Sequence, residues 1–404
     1  MRSWKANYTA VLIAETLAIM GFGLSTPVIP LFLEEDIGLT DPVKLKAWVG
    51  LIQASPAVTL AIFSPIWGHL ADIYSRRAML IRAMFGGALV ISLMTFVNSP
   101  WQLLVLKIIQ GCLTGTVAAA TVLAAGIAPA AQLAFALGLL QTGIATGNSL
   151  GPLVGGVISD FLGHRAAFLG TGLAMGMAGF VVLKWVEDDF QPAPRVKTEK
   201  LSLLPDLKPI ASSPLLITML FVTFAVQAAN TVITPMLPLF LKDLALSVSA
   251  EPAYIGSSTG IVLGVGAAFA AVAAVLVGKF AGHIGYWKTL VFCLSAGALL
   301  TLPQAFVGNV YQLVVLRALS SFFVGGAVPV VSAIIAVSSE KEQQGAVYGV
   351  NASMSSAGGA LGPLIGSAAA ILSYRAVFFA TALILGLSAV RTARWRKGRW
   401  LKLS

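Results

Sequence analysis

Charge is what this sequence has least of. Only 10% of its 404 residues are Asp, Glu, Lys or Arg, whereas a soluble domain carries about 25% to solvate its surface. A water-facing shell is therefore excluded, and lipid must cover most of the chain. Histidine is scarce, with three residues, and cysteine scarcer, with two. Cys112 and Cys293 fall inside apolar stretches with no ligand spacing and no histidine beside them, so both read as small buried apolar residues. His69, His164 and His283 stand at loops or at the ends of apolar stretches. The sequence offers no metal-ligand cluster, no nucleophile–base pair and no phosphate loop, so an enzyme reading finds no support and no cofactor is expected. Alternating polarity is missing too, which argues against barrel strands.

What fills the sequence is apolar: 57% of the residues are hydrophobic. Crossing the hydrocarbon takes about 20 residues of helix. Runs of that kind, bounded by Pro, Gly or charge clusters, lie near 8–33, 46–67, 79–98, 100–124, 133–160, 166–186, 214–241, 253–277, 288–308, 310–335, 345–372 and 374–391. They are numbered here as spans 1 to 12. The expectation is an all-α membrane protein with 12 transmembrane helices in two pseudo-symmetric six-helix bundles. Arg2 and Lys5 ahead of the first run resemble the start of a signal peptide. That run, however, continues past Leu33, contains Pro27 and Pro30, and has no convincing small-x-small cleavage site, so it reads as span 1.

The net charge of +10 would suggest nucleic acid in a soluble protein. Its distribution points elsewhere. With the N-terminus inside, 19 Lys and Arg fall on the cytoplasmic side, five outside and two within spans. That bias predicts a multi-pass protein of the cytoplasmic (inner) membrane with both termini in the cytoplasm. The basic tail from Arg391 to Lys402 is expected to rest on anionic lipid headgroups, with no nucleic-acid partner.

The two halves repeat each other. Thr26-Pro27-Val28-Ile29-Pro30-Leu31-Phe32-Leu33 returns as Thr234-Pro235-Met236-Leu237-Pro238-Leu239-Phe240-Leu241, at an offset of 208. Trp101 to Lys107 returns as Tyr311 to Arg317 at 210, Leu150 to Gly155 as Leu361 to Gly366 at 211, and Arg165 to Phe168 as Arg375 to Phe378 at 210. Shared composition does not produce four matches in one order at nearly constant spacing. The expected division is a first bundle over 1–186, a charged and proline-bearing cytoplasmic linker over 187–213, a second bundle over 214–391 and a basic tail over 392–404. Six spans per half make the repeats parallel. In such architectures the solute site lies at the membrane midplane between halves that rock.

Between spans 2 and 3 stands Gly68-His69-Leu70-Ala71-Asp72-Ile73-Tyr74-Ser75-Arg76-Arg77. This resembles the cytoplasmic loop signature of the major facilitator superfamily, with Ile73 where a basic residue is usual and Ser75 where a glycine is usual. The resemblance extends over the whole chain and implies that Gly68, Asp72, Arg76 and Arg77 form a cytoplasmic gate motif. In the second half the matching loop has Gly282 in place of the acid. Gly147-Asn148-Ser149-Leu150-Gly151-Pro152-Leu153-Val154-Gly155-Gly156 in span 5 is similar to the signature of the drug:proton antiporter branch. Gly147, Gly151 and Gly155 share one helix face, so another helix can approach closely, while Pro152 removes a backbone donor. Gly156 completes the motif. In span 4 the resemblance places an arginine ahead of Gln110-Gly111, and this chain has Lys107 there.

Glu15 is the one acid of sixteen well inside a span. An ionisable group in hydrocarbon costs about 2.5–3.5 kcal/mol on insertion scales and is a functional candidate by default. A carboxyl withdrawn from water holds its proton more tightly, so Glu15 is the expected proton-coupling residue. Some multidrug exporters of this family similarly carry an acid in the first span, about a dozen residues before its proline, and Pro27 follows Glu15 by twelve. Alternatively, Glu15 reaches the interface or pairs with Lys5. Lys107, Gln110 and Thr114 share a face of span 4, and Arg317 lies similarly on span 10. Gln227, Asn230, Thr231 and Thr234 make a polar stripe on span 7. The resemblance implies a substrate cavity lined by spans 1, 4, 7 and 10; polar glue between helices is the other reading. Gln53, Tyr348 and Asn351 are further cavity candidates.

The expectation is a proton-coupled secondary transporter, an antiporter exporting hydrophobic or amphiphilic, drug-like compounds by alternating access. The proton would be the coupling ion and a single chain the working unit. The second reading is a carrier of an anionic metabolite, sugar or lipid that uses Lys107 and Arg317. A third is a non-transporting sensor or scaffold.

Overall fold

The structure, a computed structural model, describes residues 3–188, 213–247, 254–339 and 344–399. Among these the regular elements are helices alone. Eleven helical segments are long and apolar enough to cross a membrane. The twelfth, span 5 at Leu133–Leu162, is 30 residues long, and its hydropathy is diluted by Gln141, Thr142, Thr146, Asn148 and Ser149. All twelve expected spans are thus present, several extended at their ends. Span 2 runs over Pro42–Ile73 and span 8 over Ile255–Ile284. The helix of span 12, Tyr374–Arg399, continues well into the basic tail. The expected linker over 187–213 lies almost wholly outside the described residues.

Helix starts follow the local sequence. Ser99-Pro100 and Ser213-Pro214 open spans 4 and 7, the serine hydroxyl accepting from the amides of Gln102 and Leu216 and the proline taking a position where no N–H is needed. Asp41 opens span 2 by accepting from Val43 and Lys44 at 2.9 and 3.1 Å. The Lys44 amide above all holds this exposed carboxyl below its ordinary pKa.

Internal breaks follow the repeated Thr-Pro-x-x-Pro. The helix Trp4–Leu24 ends just before Pro27, and the chain resumes as Ile29–Leu31 and a wide turn at Phe32–Asp36. In the second half Pro214–Ile233 gives way to a tight turn at Thr234–Met236 and then to Leu237–Ser247. A proline lacks the donor and crowds the carbonyl four residues back, so the duplicated motif interrupts spans 1 and 7 at equivalent places.

The chain forms two compact units, Met1–Arg195 with Leu237–Gly264, and Val196–Met236 with Val265–Ser404. The core of the first gathers Tyr8, Val11 and Ala14 of span 1 with Leu80, Met84, Leu123, Leu140 and Val182. The core of the second gathers Met219, Val222 and Val226 of span 7 with Cys293, Leu294, Val331, Ile335 and Leu385. Large apolar side chains stand outward all round, among them Leu89, Phe96, Leu173, Phe292, Leu299 and Leu383. So much outward apolar surface needs lipid around it.

Glycines set the closest helix contacts. Gly147, Gly151 and Gly155 lie against the backbone of span 1 at Thr16–Met20, Gly23 and Leu24, where a Cβ would overlap main-chain atoms. The equivalent Gly358, Gly362 and Gly366 of span 11 lie against span 7 at Phe224, Ala228 and Val232. The other side of span 5 meets span 8. There Gly156 faces Gly256, Gly260 faces the Pro152 carbonyl, and the Ser149 hydroxyl donates to the Gly264 carbonyl at 2.8 Å.

Candidate functional site

In the first unit Glu15 is completely enclosed, with no solvent exposure. Span 1 is packed against spans 5 and 6 and against the second half of span 4. Its carboxylate accepts from the Thr116 hydroxyl at 3.0 Å through Oε1, while Oε2 is buried without a hydrogen-bond partner. The carboxylate therefore turns inward, away from Lys5 and the membrane edge. Its neighbour arises from a break in span 4. The helix Pro100–Leu113 stops, Gly115 adopts a φ of 123°, and a second helix begins at Thr116 and runs to Ile127. A backbone φ in that range is open to glycine at little cost. Gly115 also has no side chain to cap the new helix.

Lys107, Gln110 and Thr114 are buried on the first half of span 4. The Thr114 hydroxyl returns to the Gln110 carbonyl at 2.8 Å, and Gln110 Oε1 has no partner. The side-chain nitrogen of Gln53 on span 2 is likewise buried and unpaired. Among the described residues Lys107 makes no ion pair.

At the loop between spans 2 and 3, Gly68 and Asp72 belong to the last turns of the span 2 helix, and the Asp72 side chain lies outside what is described. The two arginines are placed. Arg77 reaches the C-terminal end of span 6, donating to the Leu183 carbonyl at 2.5 Å and the Val182 carbonyl at 3.5 Å. Asp188 answers by accepting from the Ser75 hydroxyl at 2.9 Å and the Arg77 amide at 3.2 Å. A cation thus covers one helix C-terminus and an anion the neighbouring N-terminus, the favourable sign at both. Ser75 serves as the cap of span 3. Arg76 donates to the Val122 carbonyl of span 4 at 3.5 Å.

In the second unit the span 7 stripe divides. Thr231 is turned to its own helix and to span 11, donating to the Gln227 carbonyl at 3.0 Å and lying 3.4 Å from the Gly358 carbonyl. Gln227 is half-buried beside Gly358 and Gly359, and Asn230 is exposed. Asn351 of span 11 accepts from Thr223 at 2.7 Å, and the Tyr348 hydroxyl donates to the Ser332 carbonyl at 3.3 Å. Arg317 packs its stem on Gly266 and makes no ion pair among the described residues. Next to it Gln304 donates to the Ser320 hydroxyl at 2.9 Å.

Sequence spacing does not reveal Thr116, Asp160 or the acids Glu34, Glu35 and Asp36 as partners. Asp160 at the end of span 5 accepts from the amides of Gly256 and Ser257 at 2.9 and 2.7 Å, capping span 8 from outside its own helix. Lys242 bridges Glu34 and Glu35 at 3.1 and 2.8 Å. His164 lies 2.6 Å from Asp36, and Arg165 lies 3.4 Å from it. A run of three acids beside the repeated Pro-Leu-Phe-Leu is the one sequence signal that points toward this cluster.

The sequence matches the Major Facilitator Superfamily over residues 11–310 and 294–401. It is 34% identical over 391 residues to the multidrug resistance protein MdtG of Enterobacter lignolyticus (strain SCF1), covering 96% of this chain and 92% of the relative. The MdtG protein of Proteus mirabilis (strain HI4320) is 33% identical over 384 residues, covering 95% of this chain and 94% of the relative. Among solved structures, the nucleoside transporter NupG superposes with a TM-score of 0.77 at 14% identity, covering 97% of this chain and 99% of that one. The human organic anion transporter MFSD10 superposes with a TM-score of 0.67 at 18% identity, covering 97% and 100%.

Proposed function

The chain belongs to the major facilitator superfamily, and from that premise we propose that it exports hydrophobic or amphiphilic, drug-like compounds in exchange for protons. The relatives named for multidrug resistance support the substrate class over nearly the whole chain. The observation that carries proton coupling is Glu15, a fully enclosed carboxyl with one oxygen lacking a partner. Such a group is costly to keep in the membrane unless it is used. Protonated, it lets the protein return without substrate; ionised, it favours a cationic one. At 100 mV each charge moved contributes about 2.3 kcal/mol. Binding and release follow alternating access, with the proton as coupling ion and one chain as the working unit.

The bias of Lys and Arg supports a chain in the cytoplasmic membrane with both termini in the cytoplasm. Lys107, Gln110, Gln53, Gln227, Asn230, Arg317, Tyr348 and Asn351 are the polar groups offered to the solute, and the gate motif at Arg76 and Arg77 biases the alternation. A second reading follows from Lys107, buried, and Arg317, half-buried, neither with a carboxylate partner among the described residues: a carrier of organic anions.

Reconstituted vesicles with an imposed pH gradient separate the two. Uptake of a lipophilic cationic dye should follow the gradient, vanish in Glu15→Gln and survive in Lys107→Ala. Flux of an organic anion, lost in Lys107→Ala and kept in Glu15→Gln, would replace the exporter reading with the anion carrier.

A further inference from the structure

We infer that the half-helix Thr116–Ile127, hinged at Gly115, carries the protonation state of Glu15 to Arg76 at the loop between spans 2 and 3, with Thr116 as the positioning residue. The inference rests on the exporter reading and names how its proton site would act on the rest of the molecule.

Three contacts define the lever. At its start, the Thr116 hydroxyl donates to Glu15 at 3.0 Å. The helix N-terminus there has no side-chain cap, because residue 115 is glycine. The first amides of any helix lack intrahelical acceptors, and the positive end of the backbone dipole favours an anion. Glu15, coming from span 1, supplies that anion, and its unpaired Oε2 is the place left for a proton. Farther along, the same half-helix takes the Arg76 guanidinium at the Val122 carbonyl, and Arg76 also lies where a Cβ on Gly126 would stand.

The chemistry at the start is a charge-assisted hydrogen bond, about twice as strong as a neutral one. A proton on Oε2 removes the charge, weakens the Thr116 contact and takes the anion from the helix end together. The first turn of the half-helix is then held only by its packing, and Gly115 is the position where its direction changes at least cost. A displacement of its first turn also moves the Val122 carbonyl, so Arg76 senses the change.

The ionisable groups on the elements packed around the lever are few: span 3 carries Arg76, Arg77 and Arg82, the last stacked over the Trp67 ring at 3.4 Å, and span 1 carries Lys5 in its first turn. Thr116–Ile127 has none, and span 5 has only Asp160 at its far end. Span 6 carries His164, Arg165 and Lys184 at its two ends. On span 1 Tyr8 donates to the Ala136 carbonyl. Lys107 lies on the other half of span 4, ahead of the break.

Hydrogen–deuterium exchange of the full-length protein in lipid nanodiscs, at one fixed pH, tests this. Glu15→Gln, neutral like the protonated acid, should raise exchange of the Thr116–Ile127 amides and of the first turn of span 3 several-fold, leaving span 6 unchanged. Thr116→Val should give the same rise, adding Glu15→Gln to it should give no more, and Thr116→Ser should behave as wild type. Unchanged exchange in Glu15→Gln, or effects that simply add in the double variant, would overturn the inference. An unchanged start of span 3 would overturn the link to Arg76. The Glu15→Gln arm decides alone if Thr116→Val does not fold. Dye flux is measured in parallel: a wild type without proton-driven flux defeats the exporter reading, whereas the exchange result judges the lever.

Discussion

Asp160 shows what one side chain can do for a distant helix. Span 8 begins after Tyr254, whose φ of 57° leaves the chain without the extended residue that ordinarily caps a helix. Both carboxylate oxygens of Asp160 take over, one amide each, and only a glycine at 256 leaves room for them. Asp41 does the same for span 2 from within its own segment. Asp160→Ala should therefore destabilise the protein by about 1 kcal/mol, within the range for lost caps, measured as a lower midpoint of thermal unfolding in detergent. The Asp41 cap is legible because donor and acceptor lie two and three residues apart. The Asp160 cap is not, since its partners are 96 and 97 residues away. Glu15 divides the same way. Its isolation in an apolar run marks it from sequence, but Thr116 is 101 residues distant and identifiable only once span 4 is seen to break.

At the scale of elements, the glycines of span 5 differ sharply in what surrounds them. Gly155 is pressed against Leu24 of span 1, whereas Gly138 on the same helix has nothing within 4 Å of a Cβ. Gly155→Val should overpack this contact and cost about 1–3 kcal/mol. Gly138→Ala should be neutral or stabilise by up to about 1 kcal/mol, since glycine weakens a helix interior. Chemical denaturation of the two variants in detergent checks both. The spacing of Gly147, Gly151 and Gly155 foretells a close contact, and the proline pairs foretell the interruptions in spans 1 and 7. The break at Gly115 is not foretold, because a lone glycine inside an apolar run is ordinary in a membrane helix. Thr114, read as one of three polar groups on a continuous face, instead ends a helix and spends its hydroxyl on the Gln110 carbonyl.

For the whole molecule, twelve spans and a duplicated chain are written in composition and repetition, which depend on lipid thickness and on ancestry rather than on detailed packing. Orientation depends on charge bias alone. A fluorescent protein that matures only in the cytoplasm, fused after Ser404, should fluoresce, and so should one fused ahead of Met1; a dark fusion with intact transport would reverse the assigned orientation. The ends opposite the termini bear on how the chain can move. Arg165 holds the Thr95 carbonyl at 2.6 Å, Asn98 at 2.9 Å and Asp36 at 3.4 Å, tying spans 1, 3 and 6 with one guanidinium. Its guanidinium lies over the Phe32 ring at 5.3 Å, and Phe32 in turn meets Phe168 edge to face at 5.1 Å. Three helix tips riveted in this way travel as one plate. Any bending must then be taken up lower down, in the interrupted stretches of spans 1 and 4, so that corner acts as the fixed bearing against which the softer joints turn.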